Sequence, residues 1–164
     1  MTTKNRCRTY AWDDPLAGAS KARTMSGMEY LQAMSSGEIP LPPLLYTLGF
    51  SKPEIAEGEA TFLFEPQEYH FNPLGSVHGG VITAVLDSAM GCTLQSVLPK
   101  GTGYTTLELK VNFLKGINLQ TPVLSATGKI IHKGKTTALV EADLRDKEGV
   151  VYAHAVSTCL MFNF

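Results

Sequence analysis

The longest apolar stretch of the chain, residues 81–98, follows directly after a loop of turn-forming residues at 72–80. Its apolar side chains occupy nearly every face of a helix, and Gly91 is the first helix breaker to interrupt them. The pattern therefore predicts a helix that begins at the Gly79-Gly80 pair and is buried on most of its sides. Asp87 is the one ionised side chain within this helix.

On both sides of this helix, apolar and polar residues alternate, as they do in strands with one buried face. In residues 59–65, for example, apolar side chains recur at every second position from Ala60 to Phe64. The predicted strands lie at 50–56, 59–65, 104–114, 123–132, 136–144 and 150–161. Two strands, one helix and four further strands indicate an α+β fold in which a long antiparallel sheet wraps around the apolar helix.

The N-terminal region has a weaker pattern. Residues 1 to about 25 show no sustained periodicity, so we expect an irregular arm there. Ser26 and Glu29 form a capping-box sequence that opens a short helix to about Ser36, and Gly37 ends it. One more helical turn is expected at 44–48. We therefore divide the chain into an extension at 1–45 and a main domain at 46–164.

Composition narrows the possible partners. The chain has 164 residues, 44% of them hydrophobic and 18% charged, which is enough for one domain with its own core. Its 14 basic residues nearly balance its 15 acidic ones, and no basic stripe interleaved with aromatic side chains occurs. This balance argues against nucleic acid as a partner. The basic N-terminus lacks the apolar segment of a secretory signal, and polar residues interrupt the apolar stretch, which argues against a membrane protein.

Cysteine and histidine spacing narrows the possible chemistry. The three cysteines are widely spaced and contain no C-x-x-C pair, which is typical of free thiols in a reducing compartment, and we expect a cytoplasmic protein. The four histidines have no metal-ligand spacing, so we expect no metal site and no bound cofactor. The Gly-x-Ser-x-Gly elbow of serine hydrolases is missing. In residues 75–79, histidine stands where glycine would be required and the serine comes one place early, which disfavours serine hydrolysis.

Asp87 and the start of its helix offer candidate chemistry. A carboxylate in an apolar helix is either a hydrogen-bonded structural acid or a functional group, and its burial costs several kcal/mol if it is unpaired. The helix begins at Gly79, whose backbone N–H is free to bind a ligand carbonyl. Asp87 lies eight residues later, which is roughly 12 Å along the axis. If both groups act on one substrate atom, Gly79 of one subunit must face Asp87 of another in a two-fold dimer.

These residues belong to a longer motif, Asn72-x-x-Gly75-x-x-His78-Gly79-Gly80 followed by Leu86-Asp87-x-Ala89. In this motif and in its strand order, the chain resembles the PaaI-like hotdog-fold thioesterases over residues 46–164. The resemblance implies a hotdog fold and hydrolysis of an acyl-CoA thioester to free acid and coenzyme A. It also implies a homodimer, which in this family often pairs further into a dimer of dimers, and no cofactor besides the coenzyme A of the substrate.

The resemblance also assigns roles to residues. Asp87 of the partner subunit acts as base or as nucleophile, and the Gly79 N–H, with Gly80 beside it, holds the carbonyl oxygen. Asn72 either positions the water or carbonyl or only forms the turn. His78 supports the conformation of Gly79, with a direct role as an acid as the alternative. A threonine hydroxyl orients the attacking water, for which Thr106 aligns better than Thr105. The phosphates of coenzyme A are expected at the hairpin that contains His132, Lys133, Gly134 and Lys135.

Three points stay open at this stage. A hotdog dehydratase or hydratase would use a histidine and an acid on a thioester-linked chain, and a non-catalytic acyl-CoA sensor would need only the pocket. The aromatic and apolar residues Tyr69, Phe71, Met90, Leu94 and Tyr104 line either an acyl pocket or the core. The sequence does not distinguish a water-activating Asp87 from one that attacks the thioester directly.

Overall fold

The computed structural model describes residues 6–164, so the first five residues of the expected arm lie outside the described part of the chain. Its helices are α1 (Pro15–Ala22), α2 (Gly27–Ser36), α3 (Pro43–Leu48) and α4 (Gly79–Gln95), with a single 3-10 turn at Glu68–His70. Its strands are β1 (Glu54–Ala56), β2 (Glu59–Phe64), β3 (Thr102–Phe113), β4 (Leu124–Lys133), β5 (Thr137–Arg145) and β6 (Val151–Asn163). The strands form one antiparallel sheet in the order β1-β2-β4-β5-β6-β3. The predicted α+β fold is confirmed.

The sheet curves around α4 and buries its apolar side chains. Alternate residues of β2, β5 and β6 face the helix and are buried, while their neighbours face the other side of the sheet. At Gly128 of β4 the strand lies directly against the helix backbone, because an added Cβ would be 2.7 Å from the Ala89 carbonyl oxygen. Leu86, Met90 and Leu94 are fully buried in this core. Met90 and Leu94, which the sequence placed either in a pocket or in the core, are therefore core residues.

The expectation of an irregular arm is wrong for residues 15–22, which form α1. Two local signals start this helix. Pro15 lies in its first turn, and the Asp14 carboxylate caps it by accepting a hydrogen bond from the Leu16 N–H. Because the helix has only eight residues and few apolar positions, periodicity did not reveal it.

The predicted capping box of α2 is present, since the Ser26 side chain accepts from the Glu29 N–H and the Glu29 carboxylate accepts from the Ser26 N–H. The start of α2 packs on the end of α4. The Gly27 N–H donates to the Leu98 carbonyl (2.9 Å), and an added Cβ at Gly27 would lie 1.7 Å from the Gln95 carbonyl oxygen. The extension is therefore packed against the C-terminal end of the central helix.

The two edges of the sheet differ in length. At one edge, β1 has only three residues, shorter than the predicted strand at 50–56 because Pro53 has no N–H to donate. At the other edge, β3 has twelve residues and pairs only with β6 among the described strands. A long unpaired edge of this kind is a surface on which another strand can pair.

Among the described residues, none of the helices has the length and hydropathy needed to cross a membrane.

Candidate active site

The N-terminus of α4 presents one free backbone amide. His78 caps the helix, and its Nδ1 accepts a hydrogen bond from the Gly80 N–H (2.9 Å). The Val81 N–H donates to the His78 carbonyl (2.9 Å). Within residues 6–164, the Gly79 N–H has no such acceptor. Because the Gly80 N–H already donates to the His78 ring, the Gly79 N–H is the donor that remains for a ligand.

The loop before α4 is held by Asn72. Its Oδ1 accepts from the N–H groups of Leu74 (2.9 Å) and Ser76 (3.3 Å), and its Nδ2 donates to the Ser76 hydroxyl (2.9 Å). Gly75 adopts a positive φ of 80°, which this turn requires. The structure thus places Asn72 as the organiser of the loop, with one Nδ2 hydrogen still available.

His70 anchors this loop to the rest of the domain, a role that the sequence did not reveal. The buried ring donates from Nε2 to the Leu48 carbonyl (2.7 Å) and accepts at Nδ1 from the Gln67 N–H (3.0 Å). Its own carbonyl accepts from the His78 N–H (2.8 Å). Burial lowers the pKa of His70 below its ordinary value, which keeps the ring neutral.

The N-terminal arm supports the same region. The guanidinium of Arg8 lies over the rings of Tyr69 (4.1 Å) and Tyr10 (4.8 Å) and donates to the carbonyls of Tyr46 and Thr47 at the end of α3. Tyr69 is half exposed and contacts Arg8, so it lies at the surface beside His70. The arm thus covers the segment that leads into the site loop.

Asp87 is partly exposed, not enclosed in the apolar interior as the sequence predicted. It projects from α4 towards the edge strand β3, where the Thr106 hydroxyl donates to its Oδ1 (3.2 Å). The sheet does not extend past β3, which leaves this side of the helix partly open. Thr105 directly precedes Thr106 on the strand, so its side chain points to the other face of the sheet. Of the two threonines, the structure therefore brings Thr106 to Asp87.

A cleft of about 340 Å³ adjoins Gly79. Its lining includes Gly79, Ile82, Phe113 and Lys115. The ring of Phe113 lies against Gly79, where an added Cβ would be 3.1 Å from the ring. Sequence reasoning missed Phe113, because an apolar residue at the end of a strand carries no local sign of such a contact.

Within one chain, the Gly79 amide and the Asp87 carboxylate do not lie next to each other. Gly79 lies beside Phe113 at one end of β3, whereas Asp87 bonds Thr106 near the other end. The helix is continuous between them, so their separation is about 12 Å along its axis. Within one subunit, the amide and the carboxylate thus face different places along the same groove.

The four residues predicted to bind phosphate lie at or beside the hairpin between β4 and β5. His132, Lys133 and Lys135 are exposed, and the Gly134 N–H donates to the Thr137 carbonyl (2.8 Å). Thr137 pairs with Leu160, which in turn pairs with Thr105. This register places the hairpin at the same end of the sheet as Thr106 and Asp87.

Comparison with known proteins identifies a family model and relatives that this chain resembles. The family model described as "Thioesterase superfamily" matches residues 74–153. A candidate esterase of Saccharolobus solfataricus is 31% identical over 94 residues, which is 57% of this chain and 65% of the relative. The chain thus spans slightly less than two thirds of that relative's length. The 1,4-dihydroxy-2-naphthoyl-CoA hydrolase of Listeria monocytogenes is 27% identical over 101 residues, with 62% of this chain and 80% of that protein covered.

Solved structures agree on the fold. A candidate thioesterase of Ralstonia eutropha, described as related to phenylacetic acid degradation, superposes with a TM-score of 0.72 at 26% identity and covers 80% of this chain and 98% of its own. The PaaI protein of Escherichia coli superposes with a TM-score of 0.70 at 19% identity, covering 85% and 97%. The chain is therefore similar to the thioesterase superfamily over residues 74–153, slightly less than half of its length, and has the hotdog architecture of the PaaI-like proteins.

Proposed function

We propose that this protein hydrolyses an acyl-CoA to the free acid and coenzyme A. The observation that carries the proposal is the hydrogen bond between Asp87 and Thr106 on the same helix whose first amide, that of Gly79, is free. The similarity of residues 74–153 to the thioesterase superfamily supports a thioester as the substrate. The hydrolase of Listeria monocytogenes, which is named for an aromatic acyl-CoA, supports coenzyme A as the carrier.

The active unit is a two-fold dimer in which β3 of one subunit pairs with β3 of the other. Three exposed apolar side chains, Leu107, Phe113 and Leu114, lie on or just after this strand and favour its burial. Antiparallel pairing of two such edges brings the Phe113 end of one strand to the Thr106 end of its partner. Gly79 of one subunit then faces Asp87 of the partner subunit across the substrate.

In this arrangement, the Gly79 amide polarises the thioester carbonyl. Negative charge develops on that oxygen as the tetrahedral intermediate forms, and a fixed N–H at a helix N-terminus stabilises it. Removal of one such donor from other acyl-transfer sites costs about 2.7–4 kcal/mol. The role of His78 and Asn72 is to hold this amide in place: His78 through its cap on α4, and Asn72 through the turn that leads to it.

Asp87 supplies the second reactive group, by one of two routes. As a base, it takes a proton from water while the water oxygen attacks the carbonyl carbon. As a nucleophile, its carboxylate oxygen attacks that carbon to give an anhydride, which water then cleaves. In both routes the C–S bond breaks and the thiolate of coenzyme A leaves and is protonated. The Thr106 hydroxyl holds Oδ1, which leaves Oδ2 directed at the reaction.

The 3′-phosphate and pyrophosphate of coenzyme A bind at the hairpin of His132, Lys133, Gly134 and Lys135. Two lysines supply positive charge, and the hairpin lies at the Asp87 end of the sheet of the same subunit. Coenzyme A therefore enters from the subunit that provides Asp87, while its partner provides Gly79.

The test is free-thiol release from a set of CoA esters, measured for the wild type and for Asp87→Asn. We expect the substitution to reduce turnover by about 10²–10⁴-fold, the contribution typical of a positioned proton-transfer group. Asp143→Asn is the matched control, because Asp143 lies on the face of the sheet opposite α4 and pairs with Arg145. It should keep wild-type turnover.

Three outcomes would contradict the proposal or its mechanism. Binding of CoA esters without thiol release by the wild type would favour a sensor. Hydration of an enoyl-CoA without thiol release would favour the hydratase. Unchanged turnover in Asp87→Asn, with thiol release intact, would remove Asp87 from the mechanism.

A further inference from the structure

The direction of the Gly79 N–H depends on how His78 is held, because the two residues share one planar peptide bond. Inside α4, the His78 carbonyl accepts from the Val81 N–H and the His78 ring accepts from the Gly80 N–H, both at 2.9 Å. The His78 N–H bonds outside α4 and donates to the His70 carbonyl (2.8 Å). The bond to His70 therefore ties the start of the helix to the segment that precedes the site loop.

His70 is held in turn by the end of α3, where carbonyl groups have no partner within the helix. The Leu48 carbonyl accepts from the buried His70 ring (2.7 Å). The carbonyls of Tyr46 and Thr47, just before it, accept from the two terminal nitrogens of the Arg8 guanidinium. A guanidinium holds its donors in a fixed fork, and its positive charge is favourable at the C-terminal end of a helix. Arg8 and His70 thus bind three successive carbonyls of one helix end.

Tyr69 joins Arg8 to His70. The Arg8 guanidinium lies 4.1 Å from the centre of the Tyr69 ring, and that ring meets the His70 ring edge-on, with 4.4 Å between their centres. Both Arg8 and Tyr69 also close over Gly49, which ends α3 with a φ of 70°. An added Cβ at Gly49 would lie 2.5 Å from the Tyr69 hydroxyl and 3.0 Å from the Arg8 guanidinium. We call Arg8, Tyr69 and His70 the Arg8 cluster.

The charge of Arg8 also favours the form of His70 that these bonds require. The His70 Nδ1 accepts from the Gln67 N–H (3.0 Å), which a ring protonated at both nitrogens could not do. Burial lowers the pKa of His70 and the positive charge of Arg8 lowers it further, although the hydrogen bond to the end of α3 opposes them. Arg8 therefore stabilises the neutral ring that anchors the site loop.

We propose that Arg8 is a positioning residue, which fixes the direction of the Gly79 amide through the Arg8 cluster and the His70 carbonyl. This inference rests on the proposed function and gives the N-terminal arm a part in the reaction. Arg8 acts through the amide that holds the carbonyl oxygen, on which negative charge develops in the transition state. Loss of Arg8 therefore weakens binding of the transition state more than binding of the substrate, and it lowers kcat more than it raises KM.

The test measures kcat and KM for thiol release in Arg8→Ala, with Arg6→Ala as the matched control. We expect Arg8→Ala to lower kcat by about tenfold and to keep KM within about twofold, because a small misplacement of a catalytic group has effects of this size. Arg6 lies on the same arm but pairs with Glu68 at the exposed surface (2.6 Å), so Arg6→Ala should keep the wild-type kcat. Urea unfolding of each variant checks that it is folded under the assay conditions.

A double-mutant cycle separates this role from a general loss of structure. If Arg8 acts through the Gly79 amide, Arg8→Ala should lower kcat by less than about threefold in a Gly79→Ala background, where that amide is already displaced. In a Thr106→Val background the amide is intact, and Arg8→Ala should still lower kcat by about tenfold. A structural role alone would give equal losses in the two backgrounds.

Arg8→Lys covers the case in which Arg8→Ala does not fold. Lysine keeps the charge but lacks the fork, so Arg8→Lys should lower kcat by about threefold in the otherwise wild-type chain and have no effect in the Gly79→Ala background. Equal losses in the Gly79→Ala and Thr106→Val backgrounds, or a wild-type kcat in Arg8→Ala, would overturn the inference and leave the proposed function intact. Absence of thiol release from every CoA ester by the wild type would instead overturn the proposed function, and this inference with it.

Discussion

The proposed site has two ends, one at Gly79 and one at Asp87, and different kinds of chemical group are held in place at them. At Gly79 the proposed reactive group is a backbone amide, held by the cap of His78, the turn of Asn72 and the ring of Phe113. At Asp87 it is a side chain, held by one hydroxyl across the gap to β3. The first end depends on the position of the main chain, and the second on the identity of two side chains. Substitutions at the two ends should therefore fail in different ways.

The largest expected effect is the recovery of turnover when two variants, each changed at one end of the site, are combined in mixed dimers. Gly79→Ala and Asp87→Asn subunits should each form weakly active dimers. If the two ends meet across the interface, mixed dimers contain one intact site, and random mixing should restore about a quarter of wild-type turnover. Thiol release is measured after the two variants are unfolded, mixed and refolded. A mixture no more active than its components would place both groups in one subunit.

Gly79→Ala alone should show the sensitivity of the backbone end. The new Cβ lies 3.1 Å from the Phe113 ring, so the ring or the amide must move by a few tenths of an ångström. We expect a loss of about 10–100-fold in kcat, less than that for complete removal of an oxyanion donor. Adding Phe113→Leu should make room for the methyl group and recover part of the loss. If the double variant is no better than Gly79→Ala, the steric explanation is wrong.

Thr106→Val should show the sensitivity of the side-chain end. It keeps the shape of the residue and removes the hydroxyl that holds Asp87, and we expect kcat to fall about tenfold, the value of a hydrogen bond to a charged group. Thr105→Val makes the same change on the other face of the strand and should cost less. Equal losses in the two variants would show that the hydroxyl of Thr106 has no special role.

The smallest expected effect is a dependence of stability on pH through His70. Because the folded-state pKa lies below the ordinary value of 6.5, the unfolded chain binds more protons just below that pH. The free energy of unfolding should therefore fall as the pH decreases through 6.5. Urea unfolding of the wild type and of His70→Gln at pH 7.5 and pH 5.5 measures it, with a flatter response expected for the variant. His132→Gln, at an exposed histidine, should respond as the wild type does.

The sequence predicted those parts of the molecule that have local signals. The buried helix after Gly79, the alternating strands and the capping box at Ser26 all follow from residue patterns within one element, and the structure has them. The motif around His78 and Asp87 led to the candidate site residues on α4, whose roles stay a prediction. The match of residues 74–153 to the thioesterase superfamily model is consistent with the resemblance that this motif indicated.

The features that the sequence did not predict depend on contacts between elements far apart in the chain. The exposure of Asp87 depends on where the sheet ends, and the contact between Tyr104 and Gly91 depends on the register of β3 against α4. The anchoring of the site loop by His70 likewise joins α3 to the helix cap. Short α1 was missed for a different reason, since its start depends on one cap and one proline.

The close contact at Gly128 has an evolutionary consequence. No other residue fits between β4 and the Ala89 carbonyl without lifting α4 from the sheet. Since α4 carries both Gly79 and Asp87, one substitution at position 128 would displace both halves of the site together. Descendants of this sequence that keep the proposed activity should therefore keep glycine at position 128.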